Sequence, residues 1–110
     1  MAPHSIGDNR PLSEQFRLAA KAWVEADAAA SLLEETKSAV LSERMTALGD
    51  MPVSRAEMTV KASPEWREFI ESMVKTRQAA NLAKVKVEWL RMRFSEQQSF
   101  EATARAERRM

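Results

Sequence analysis

The stretch SPEWREFIESMVKTRQAANLAKVKVEWLRMRF, residues 63–94, decides the fold. Ser63-Pro64-Glu65 is a helix start: an N-cap serine, proline at the first helical position and an acid in the first turn. After Pro64 neither glycine nor proline occurs again, and the helix is expected to run without a break over 64–108, ~67 Å at 1.5 Å per residue. Within it Phe69, Met73, Thr76, Ala80, Ala83, Val87, Leu90 and Phe94 recur at alternating spacings of four and three. That is a heptad seam with d at Phe69 and a at Met73, the signature of a helix packed along another helix.

A partner for this seam lies upstream. Phe16, Ala19, Trp23, Ala26, Ala30 and Leu33 repeat the pattern, and Val40 resumes it after Lys37. Ser13 is the expected N-cap, Glu14 suits the dipole of the first turn, and Gly49 suits a left-handed C′ residue, predicting a helix over 13–48. Between the two helices Pro52 forbids continuation, and Ser54 with Glu57 forms a capping-box pattern. A short helix is expected over about 55–61 within a 50–62 connector. Residues 1–12 read as a flexible tail and 13–110 as one helical domain. The predicted class is all-α: a long antiparallel hairpin with a short connecting helix, associating as a dimeric bundle. Alanine-rich seams let the helix axes approach closely. Asp27 and Glu34 fall at e positions of the first seam and Arg77, Lys84 and Arg91 at e positions of the last. Antiparallel pairing brings these edges together, each exposed pair contributing a few tenths of a kcal/mol.

Leu82, Val85, Trp89 and Met92 form a second apolar stripe at c and f positions, away from the seam. Burying each such side chain is worth ~1.5–3 kcal/mol, so the stripe calls for a cover. Three covers fit: the chain itself, through helix 1 or Met51, Val53 and Met58 of the connector; a second copy, the preferred reading; or a foreign protein. The basic residues Lys75, Arg77, Lys84, Lys86, Arg91 and Arg93, with Arg105, Arg108 and Arg109 at the end, are candidate contacts for nucleic acid or an acidic partner. Pairing with the acids of helix 1, solvation and helix C-terminal capping account for the same residues without a ligand.

Composition narrows function. The 110 residues carry 17 Lys/Arg against 16 Asp/Glu, one histidine and no cysteine. Thiolate metal sites and thiol catalysis are excluded. His4, in the expected tail, has no converging ligands for a metal and no serine–acid set around it. The adjacent Glu34-Glu35 point about 100° apart on a helix, a poor two-carboxylate site. No glycine-rich phosphate loop exists. The expectation is a non-enzyme without cofactor or small-molecule substrate. No run approaches ~20 apolar residues and no signal-peptide pattern opens the chain, so the expected location is cytoplasmic.

The segments Ser63-Pro64-Glu65-Trp66, Met73-Val74-Lys75 with Arg77, Ala79-Ala80-Asn81, Ala83-Lys84-Val85, Arg91 to Ser99 and Ala102 to Glu107 resemble small uncharacterised bacteriophage proteins of early regions that carry recombination genes. The resemblance covers about residues 50–110 and has no catalytic signature. It implies a phage or prophage setting in a host cytoplasm. Two roles follow from it: an accessory to DNA recombination, or an inhibitor of a host defence complex. Direct DNA or RNA binding through the basic face is the alternative.

Overall fold

A computed structural model describes residues 8–109; the expectations for residues 1–7, including His4, lie outside them. Three helices follow in order, α1 (Leu12–Ala47), α2 (Val53–Lys61) and α3 (Pro64–Arg108), with no strand among the described residues. Among the described residues no helix is long and apolar enough to cross a membrane.

The boundaries follow local chemistry. α1 starts one residue before the expected cap: the Pro11 carbonyl accepts from the Glu14 and Gln15 amides, which places Ser13 inside the first turn. Gly49 closes the end of α1 with φ +85°, and its amide donates to the Thr46 carbonyl. α2 begins on the Pro52 carbonyl, which accepts from the Ala56 amide at 2.9 Å. The Ser54–Glu57 capping box therefore does not form; Glu57 turns forward to Lys61 at 3.0 Å. Ser63 does cap α3, its Oγ accepting from the Trp66 amide at 3.2 Å.

Contacts divide the chain into two units. One is Val24–Asn81, which combines parts of α1 and α3 with all of α2. Here Ala30, Ala56, Val60, Trp66 and Ala80 are buried, and Trp66 stacks on Phe69 with centroids 5.5 Å apart. The seam threonine, Thr76, satisfies its hydroxyl on the Ser72 carbonyl at 2.8 Å, which lets a polar residue sit half-buried. The other unit is Met1–Trp23 with Leu82–Met110. Its core is Ala19, Val87 and Leu90, with Leu12, Phe16, Ala20 and Trp23 packed against it. Within each unit α1 and α3 run antiparallel: Asp27 and Arg44 of α1 meet Arg77 and Phe69 of α3, and Phe16 and Trp23 meet Arg91 and Lys84.

The seam residues from Phe69 to Leu90 are all buried or half-buried, as are Phe16, Ala19, Trp23, Ala26, Ala30, Leu33 and Val40 of α1. Phe94 departs from the pattern. It is exposed, and beyond it every described residue of α3 except Ala104 is exposed as well.

Candidate interaction surface

Heptad geometry places c and f positions on the side of α3 opposite its seam. In the unit built on α3 from Leu82 onward, that outer face is bare. Leu82 is 71 % exposed, Val85 59 %, Trp89 47 % and Met92 59 %. Among the described residues of this unit none covers the stripe, and all four side chains are open. Phe100 adds a further exposed ring. At 100° per residue it projects in the same direction as Leu82, five turns along.

The charged residues around this face divide by position. On its rim Arg93 folds over the Trp89 ring at 5.1 Å, one helical turn away. Lys86, seven residues before it, lines a pocket on the α1 side with Asp8, Ala19 and Ala83, and neither residue forms an ion pair among the described residues. The e-position cations turn toward α1 as well. Lys84 sits 5.9 Å over the Trp23 ring and Arg91 5.8 Å over Phe16. The carboxylate partners expected for these two are replaced by rings, because an aromatic seam residue of α1 stands opposite each of them.

Arg77, in the other unit, finds the acids. Its guanidinium donates to both Glu34 carboxylate oxygens at 2.7 and 2.8 Å, to Asp27 at 2.6 Å and to the Ser31 hydroxyl at 3.3 Å. The hydrogen bonds to Glu34 and then Asp27 raise the Arg77 pKa, and the bond from Arg77 lowers that of Glu34. Arg77 is therefore committed within its own unit. Lys75, also in this unit, is exposed and forms no ion pair among the described residues. Arg44 crosses α1 to α3 as well, its guanidinium 6.0 Å over Phe69, a contact the charge pattern did not suggest.

Near the start of α1 a groove of about 300 Å³ is lined by Ser13, Phe16, Arg91, Phe94 and Ser95. Beside it the chain is tied down: Gln15 donates to the Arg10 carbonyl at 2.9 Å, and Arg10 pairs with Asp8 at 2.8 Å. The Arg10 side-chain hydrogen bonds hold the Asp8 carboxyl down at about 2. At the far end Arg105 and Arg108 occupy the last turn of α3, and Arg108 donates to the Ala104 carbonyl at 3.4 Å, a capping geometry.

Among the described residues no three His, Cys, Asp or Glu side chains converge. The feature that stands out is a row of large apolar side chains on a helix whose opposite face is already packed. No family model, curated protein or solved structure matches the chain.

Proposed function

We propose that this chain is a non-enzymatic helical interaction module. It presents the outer face of α3 to a protein partner in a phage-type nucleic-acid process, as a recombination accessory or an inhibitor of a host defence complex. The supporting observation is the bare stripe Leu82, Val85, Trp89 and Met92 on a helix held from behind by α1. A contiguous apolar patch framed by charge is the usual mark of a protein contact surface. The hairpin holds the stripe in helical form before binding, so little ordering entropy opposes association. The phage setting rests on the resemblance of residues 50–110 described above.

A photoreactive amino acid at Val85 tests the reading in cells. Protein crosslinks are expected from Val85 and not from Arg67, an exposed control. Equal yields from both positions would overturn it. A second reading, direct DNA or RNA binding, draws on Lys86 and Arg93, which form no ion pair among the described residues. Phosphate contacts strengthen as salt falls, so absence of binding to single- and double-stranded DNA at ~50 mM salt sinks that alternative.

A further inference from the structure

We infer that the occupant of the α3 outer face is a second copy of this chain, paired in parallel, with Glu88 of each copy bridging to Arg93 of the other. The inference rests on the reading of that face as the contact surface and names its partner.

Taken as a seam of its own, the face has a register. Leu82, Trp89 and Glu96 fall at one core position, and Val85, Met92 and Ser99 at the other, three and four residues apart. The apolar core is thus four layers, ending where Glu96 enters. The edges are then defined. Lys86, Arg93 and Phe100 follow one core position, whereas Glu88 and Ser95 precede the other.

These edges discriminate between orientations. In an antiparallel pair like edges meet, so Lys86 and Arg93 would face Lys86 and Arg93 of the other copy, and Glu88 would face Glu88. In a parallel pair each edge meets the opposite edge five residues on, which sets Glu88 against Arg93 twice by symmetry. Ser95 against Phe100 is the next such pair and carries no charge conflict. Arg93 is already folded along the stripe, over Trp89, with its guanidinium at the rim. Glu88 is exposed and forms no ion pair among the described residues. Both groups are therefore free to bridge. Four apolar layers make a small interface beside the ~800 Å² per partner of a standard one, so the expected dimer is weak.

Sedimentation equilibrium of the full chain, from about 5 to about 500 µM, tests this. A concentration-dependent dimer is expected. Glu88→Arg and Arg93→Glu should each raise the dissociation constant about tenfold, and the double swap should recover it to within about threefold. The helical content of each variant monomer, read by circular dichroism, checks that the fold is kept. Because the chain has no cysteine, Val85→Cys supplies a unique thiol, which should form a symmetric disulfide in a parallel pair. A dimer tightened by Arg93→Glu would reveal antiparallel pairing and overturn the inference, as would swaps without effect or a larger oligomer. A monomer throughout that still crosslinks from Val85 to a different protein overturns self-pairing and leaves the interaction module standing. A monomer without site-specific crosslinks overturns both.

Discussion

The two units use the same heptad edge of α3 in different ways. At Arg77 the edge meets carboxylates, and one guanidinium gathers Asp27, Ser31 and Glu34. At Lys84 and Arg91, one and two heptads on, the same edge meets the faces of Trp23 and Phe16. The unit with the ion cluster also contains α2 and buries Trp66, whereas among the described residues the other pairs parts of α1 and α3 and leaves the far side of α3 bare. Position in the repeat sets which way a cation points. The residue across from it sets whether the contact is ionic or aromatic.

Mutations sharpen this contrast. The largest losses are expected in the cores. Trp66→Ala should cost about 3–5 kcal/mol and Leu90→Ala about 2–5 kcal/mol, measured by urea unfolding, because each empties a buried site. If Leu90→Ala costs under about 1 kcal/mol, the two-helix unit is not packed as described. Arg77→Met comes next. It should lower the urea midpoint by less than either core change, and the gap from wild type should narrow at 1 M salt. The gap should also narrow in acid. The Glu34 pKa is lowered in the folded state, so its contribution is present above the ordinary value of 4.5 and is lost as pH falls through the depressed one. A gap that widens below pH 4.5 contradicts the assigned bridge.

Ser63→Ala should cost about 1 kcal/mol through loss of the cap on α3. The smallest effect is expected for Lys84→Ala, about 0.5 kcal/mol, since a cation over a ring at a solvent-exposed site contributes little. A cost for Lys84→Ala as large as that for Arg77→Met would erase the distinction between the two halves of the edge.

Much of the fold was legible. The four-three alternation from Phe69 to Leu90 depends only on helical period, and it identified the packed face of α3 residue by residue. Register sets the edge of Asp27 and Glu34 against that of Arg77, Lys84 and Arg91, but not that Arg77 takes both acids. The rings opposite Lys84 and Arg91 were also in the seam, but a search confined to opposite charges passes over them. The start of α2 was less legible: Ser54 and Glu57 read as a box, yet Lys61 was there to compete for Glu57. Phe94 fitted the period and is exposed all the same, because periodicity does not say where the facing helix ends. The stripe at Leu82, Val85, Trp89 and Met92 was visible as a pattern. That it stays uncovered within its unit is a tertiary fact that no spacing contains.

The uncovered last stretch of α3, residues 95–108, has a spectroscopic consequence. Its backbone is helical with almost no packed side chains to hold it, so it propagates from the anchored turns without nucleating on its own. Such a segment unwinds residue by residue toward the anchored turns. On warming, the far-ultraviolet dichroism of this protein should therefore drift steeply well before the cooperative melt, and the slope of that native baseline measures the fraying of fourteen residues. Removing those residues should flatten the baseline while leaving the midpoint of the main transition in place.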